Sequence, residues 1–233
     1  MARTPVKTAD FTGSNGTNIE DYTGGSTDWS QKSSGQGAGY IGINSNKLTT
    51  FFSDGSPFVY REDIGTYSGD QYASAALSGF ANDSGSLGVA VRISSDTGAN
   101  ADWYAVRVFL TTDEYELVKC VNGSISSLAG PTSQSFSDGD TVELEALTEG
   151  SDCRLLAYRN GSQLVSYLDT SSPLTGGKPG VYFRDAGNSY LAFIDDWVGG
   201  DATAAGGDEE DALSGSAVTG GHGTASPVFT IGL

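Results

Sequence analysis

The chain has 233 residues, 29 of them Asp or Glu and 12 Lys or Arg, for a formal charge of −17. Such a surface repels phosphate backbones, which excludes nucleic acid as a natural partner. The 33 glycines and the charged fraction of 18% favour short strands joined by tight turns over helices, which lose stability at Gly. A single all-β domain of this length can bury about 70–75% of the surface its unfolded chain exposes.

Residues 1–8 carry Arg3 and Lys7 without an acid, and they read as a basic N-terminal arm, either docked on an acidic neighbour or solvated. Ala9-Asp10-Phe11-Thr12-Gly13 reads as a first strand. Short strands are then expected near 28–32, 38–44, 48–52 and 58–60, with Asp54-Gly55-Ser56-Pro57 supplying turn chemistry. Longer ones follow at 71–80 and 87–94. Trp103 to Thr111 is apolar on both faces, which places it centrally in a sheet that is curved or covered twice. Glu114 to Val121 is its hairpin partner, and Asn122-Gly123 leads into Ser124 to Ala129. No segment sustains a 3.6-residue apolar period, so helix is expected to be scarce.

Thr141 to Asp196 organises the rest. It reads as four or five consecutive strands broken at Asn160-Gly161, Gly176-Gly177 and Gly187-Asn188. Val142, Leu144 and Ala146 alternate with Glu143, Glu145 and Leu147, the period of a half-buried strand. Asn160-Gly161 predicts a type I′ hairpin because both residues tolerate positive φ.

With Ala9-Asp10-Phe11 at the front, the run Leu155–Gly161, Asp169, Gly180-Val181-Tyr182-Phe183 and Ile194-Asp195-Asp196-Trp197 resemble the concanavalin A-like lectin/glucanase superfamily, laminin G-like domains included. The resemblance covers residues 9–199. It implies a two-sheet antiparallel jelly-roll sandwich whose first and last strands are neighbours. It does not fix a function, because that superfamily holds lectins, enzymes, adhesins and virion proteins. The sandwich is thus expected over 9–200, followed by an acidic Gly/Ala linker over 201–212. A Ser/Thr/Gly tail over 213–233 closes the chain, with a β-repeat-like strand near Val228, Phe229 and Ile231.

Candidate chemistry is sparse. Laminarinase-like members of the superfamily use an E-x-D-x-E or E-x-D-x-x-E strand, whereas Glu143-Leu-Glu145-Ala-Leu-Thr-Glu149 lacks the central Asp. Glu143 and Glu145 read as outward glutamates on a solvated strand, and no catalytic residue is assigned. Asp195 and Asp196 are the candidates for a metal, calcium, although adjacent strand residues point to opposite faces. Otherwise no cofactor is expected. His222 is the one histidine, which excludes His-based metal sites and Ser–His catalysis. Trp29, Trp103 and Trp197 are candidates for a sugar platform or, alternatively, for the core. Cys120 and Cys153 read as free, partly buried thiols.

Residues 1–7 lack an apolar leader and no run approaches membrane-spanning length, so neither export nor a membrane is expected. An extracellular-style acidic surface without an export signal fits a protein made in a host cytoplasm and released on a particle. The first reading is therefore a non-enzymatic virion protein, a capsid decoration or fibre-like subunit of a tailed phage at the virion surface. It would be a homo-oligomer, perhaps trimeric, that meets capsid proteins through Arg3, Lys7, Val228, Phe229 and Ile231. The alternative is a carbohydrate-binding or adhesin module for a host-surface glycan. A glycoside hydrolase is the remote third.

Overall fold

The computed structural model describes residues 3–33, 39–51, 57–80, 85–96, 100–184 and 192–203. The tail 213–233, with His222, Val228, Phe229 and Ile231, lies outside them, as does the expected turn at Gly187-Asn188. The described residues form fifteen strands and two short 3-10 turns, η1 (Ile19–Asp21) and η2 (Gly24–Ser26). In chain order the strands are β1 (Arg3–Ala9), β2 (Trp29–Ser33), β3 (Tyr40–Asn44), β4 (Lys47–Phe51) and β5 (Pro57–Glu62). Then come β6 (Gln71–Ser78), β7 (Ser86–Ile93), β8 (Trp103–Phe109), β9 (Glu114–Val121) and β10 (Ser124–Ser133). The last are β11 (Thr141–Glu149), β12 (Asp152–Arg159), β13 (Ser162–Asp169), β14 (Lys178–Arg184) and β15 (Phe193–Ala202).

They pair antiparallel into two sheets, an all-β sandwich. Sheet A runs β13-β12-β11-β6-β15-β4-β3 with β1 added on β15; sheet B runs β10-β9-β8-β7-β14-β5-β2. The expected hairpin at Asn160-Gly161 joins β12 to β13, with φ of 49° and 76° at the two residues. First and last strands are neighbours, Ala9 facing Trp197 and Arg3 facing Ala202.

The core lies between the sheets. Tyr104, Val106 and Val108 of β8 and Val142, Leu144 and Ala146 of β11 are all fully buried within it. Each fully buried Val or Leu contributes about 1.5–3 kcal/mol relative to exposure. β8 lies centrally in sheet B, and its outward Trp103 and Ala105 are also buried, with Val118 and Tyr182. Its two apolar faces are both used, as the sequence predicts.

Two boundaries differ from expectation. Residues 3–9 are not an arm but the strand β1, whereas Asp10 to Gly13 form the turn after it. The edge of β15 beyond its bulge is open on that side, and β1 satisfies its backbone groups there. At the other end β15 runs on through Asp201 and Ala202, so the linker cannot begin at 201.

Candidate functional site

A cleft of about 350 Å³ opens where β1 leaves sheet A, lined by Thr8, Ala9, Asp10, Gly25, Asp196, Trp197 and Val198. Three local features build it. First, the chain turns sharply after Ala9, with Phe11 at φ 50° and fully buried, which leaves Asp10 on the rim. Second, η2 is pressed onto β1. Lys7 Nζ donates to the Ser26 carbonyl at 2.8 Å, and a Cβ on Gly25 would stand 1.9 Å from the Thr8 carbonyl oxygen. With φ at 67°, that position requires glycine. Third, β15 shifts register against β6 between Asp195 and Val198, and Asp196 sits at φ 48° inside that bulge. The bulge places Asp196 in the lining of the cleft.

The Asp10 carboxyl accepts from the Thr12 N–H at 3.1 Å and from the Tyr22 hydroxyl at 2.9 Å. Those two bonds hold it below the usual aspartate range. The lining contains no Lys, Arg or His. Two aspartates in one concave lining can accept hydrogen bonds from hydroxyl-rich ligands or attract a cation.

The three tryptophans do not form a platform. Trp29 is 2% exposed, and Trp103 and Trp197 are fully buried. Trp29 and Trp197 pack edge to face at 4.8 Å, and the Trp197 indole N–H donates to the Gly180 carbonyl. Indole is the largest apolar side chain, and at these positions the sandwich spends it on its core. Of Asp195 and Asp196, only Asp196 lines the cleft. Burial raises the Asp195 carboxyl above its ordinary value. Among the described residues no group of three or more His, Cys, Asp or Glu converges on a point. Cys120 and Cys153 are free and buried, and burial pushes both thiols up to about 11.

The β11 glutamates are not solvated. Arg3 crosses the outer face of sheet A to pair with Glu143 and donates Nε to Glu145 at 2.7 Å. Its guanidinium lies 5.0 Å from the Tyr158 ring centroid, and the Tyr158 hydroxyl donates to Glu145 at 3.1 Å. Glu145 is fully buried. Burial, together with the neighbouring Glu145, raises Glu143 to about 7 against the pull of Arg3. Glu149, the third acid of the string, pairs separately with Arg154. Arg3, expected at an assembly contact, is instead committed to its own sheet, and Lys7 is bonded to Ser26.

One polar knot escapes sequence reasoning. Lys119 Nζ donates at 2.8 Å to Asp169 Oδ2 and to the carbonyls of Ser171 and Ser172, while the Tyr104 hydroxyl donates to Asp169 at 2.6 Å. Burial pushes Asp169 up, but the hydrogen bonds from Lys119, Tyr104 and the Ser171 N–H outweigh it and hold the carboxyl below its ordinary value. The knot ties β8 and β9 of sheet B to the end of β13 in sheet A. Asp169 stood out in the sequence, yet nothing there marks Lys119 as its partner, 50 positions away.

No protein-family model and no curated protein matches the sequence. Solved structures nevertheless share the two-sheet antiparallel sandwich fold at low sequence identity. The carbohydrate-binding module CBM66 from Bacillus subtilis superposes with a TM-score of 0.56 at 17% identity, over 74% of this chain and 95% of that one. A structure from work on endo-acting O-glycanases of the human gut microbiota gives 0.53 at 9% identity, over 86% and 100%. The metal-free exoplasmic/lumenal domain of VIP36 gives 0.52 at 11% identity, over 87% and 95%.

Proposed function

We propose that the chain is a non-enzymatic carbohydrate-binding module that holds a glycan in the cleft between β1 and β15. The cleft carries the reading: Asp10 and Asp196 stand in one concave lining and offer acceptors to a hydroxyl-rich ligand. The B. subtilis module named for carbohydrate binding lends the fold-level precedent. Hydrolysis finds less support. The β11 carboxylates that a glycosidase would need are closed off by Arg3 and Tyr158.

The virion-surface reading assigns attachment to the ends of the chain, and residues 3–9 are built into sheet A as β1. The test is a glycan array followed by calorimetry on the intact chain. Binding to at least one glycan, weakened tenfold or more by Asp10→Asn and by Asp196→Asn, is the expected result. Silence on the array, or affinity that ignores both substitutions, would sink the reading.

A further inference from the structure

The chain contains Asn-Gly at Asn15-Gly16, Asn122-Gly123 and Asn160-Gly161, and all six residues are exposed. A glycine after asparagine leaves its peptide nitrogen unshielded by a side chain, so the Asn side-chain carbon lies open to attack from it. Exposure does not separate the three. The way each carboxamide is held does.

At the first, both reacting groups are tied. The Asn15 side-chain carbonyl accepts from the Ser45 N–H at 2.8 Å, and the Gly16 N–H donates to the Ile43 carbonyl at 2.8 Å. At the third, the Asn160 side-chain carbonyl accepts from the Thr141 N–H at 2.8 Å and from its hydroxyl at 3.1 Å, while Nδ2 donates to Asp140 at 2.6 Å. That carboxamide cannot turn toward Gly161 without breaking these bonds.

Asn122 sits in the same kind of turn. Its φ is 48° and that of Gly123 is 74°, against 49° and 76° at Asn160 and Gly161, and each pair closes a two-residue hairpin loop. The Asn122 N–H donates to Asp102 Oδ1 at 2.8 Å, but among the described residues its carboxamide has no hydrogen-bond partner. The Gly123 N–H meets the Cys120 sulfur, a weak acceptor.

We infer that Asn122 is a modification site, the asparagine at which the folded chain deamidates, while hydrogen bonds protect Asn15 and Asn160. The Gly123 nitrogen gives its proton to water and bonds to Asn122 Cγ. The Cγ–Nδ2 bond breaks and ammonia leaves, closing a five-membered succinimide. Water then opens either ring carbonyl, yielding aspartate or an isoaspartate whose backbone runs through the β-carbon. Both products place a new carboxylate beside Asp102. The isoaspartate also lengthens a two-residue turn by one carbon, which β9 and β10 accommodate only by loosening their pairing.

Peptide mapping by mass spectrometry, on the intact chain aged in warm neutral buffer, tests this. Asn122 is expected to convert at least about tenfold faster than Asn15 or Asn160, because theirs must first give up hydrogen bonds. In denaturing urea the three rates are expected to converge, since only the fold distinguishes them. Amides of residues 118–127 in the aged, isoaspartate-bearing chain are expected to exchange faster than in fresh protein. Conversion of Asn122 no faster than Asn160 in the folded chain would overturn the inference. So would an equal preference for Asn122 in urea, which would assign the difference to neighbouring sequence.

Discussion

Arg3 and Glu145 stand 142 positions apart in the chain and 2.7 Å apart in the fold, Nε to Oε1. The contact pins the first strand to the middle of sheet A and supplies the counter-charge for a carboxylate that has no access to water. Arg3→Ala is therefore expected to leave two uncompensated acids. The cost is about 3 kcal/mol, the lower part of the range for breaking a buried pair, because the Arg3 side chain is itself 31% exposed. Urea unfolding measures it. A loss under about 1 kcal/mol would put the pair among ordinary surface bridges.

Glu143 sets a pH dependence. Its folded value of about 7 lies above its ordinary 4.5, so the folded state binds more protons between those limits. The stabilisation is complete below pH 4.5 and lost as pH rises through 7. Asp10, Asp169 and Asp140, the last of which accepts from Arg159 and Asn160 just before β11, act oppositely, since their lowered values give stability that is lost as pH falls through them. Unfolding midpoints should thus peak on the acid side of neutrality, and Glu143→Gln should flatten the descent between pH 4.5 and 7. A variant that keeps the full slope would assign it to another group.

The knot of Lys119, Asp169 and Tyr104 invites a double-mutant cycle. Lys119→Met strands a carboxylate that is 2% exposed and should cost about 3–5 kcal/mol. Adding Asp169→Leu should return much of that loss, because two buried charges then vanish together. Additive losses in the cycle would show that the knot acts through packing alone.

Gly25→Ala tests the wall of the cleft. Its Cβ would collide with the Thr8 carbonyl, and φ there is already left-handed. Stability should fall by about 1–3 kcal/mol, with glycan affinity falling alongside as η2 moves off β1. Unchanged thermal melting would mean that η2 shifts freely.

Glycan binding is proposed without a metal. Dialysis against a chelator should leave both Tm and affinity unchanged. A drop in Tm restored by calcium would identify an ion held through Asp10 or Asp196 and would recast those carboxylates as its ligands.

Much of the fold was legible in the residues themselves. Alternation in Val142–Leu147 and the Asn160-Gly161 turn depend on a strand's period of two and on tolerance of positive φ, both local properties. The strong twofold apolarity of Trp103–Thr111 likewise announced a central strand. The candidate site was far less legible. Asp196 was in view, but its place in the cleft lining depends on a bulge that appears only when β15 is set against β6.

What the sequence determined by itself is which residues share a face and where the chain reverses. The tertiary structure decided which faces are covered. The same alternation that sets Glu143 and Glu145 outward cannot say that Arg3 lies across them, nor that three tryptophans are buried rather than displayed. Side-chain direction follows from neighbouring bonds, whereas burial is set by whichever distant strand arrives on top, and no local pattern encodes that arrival.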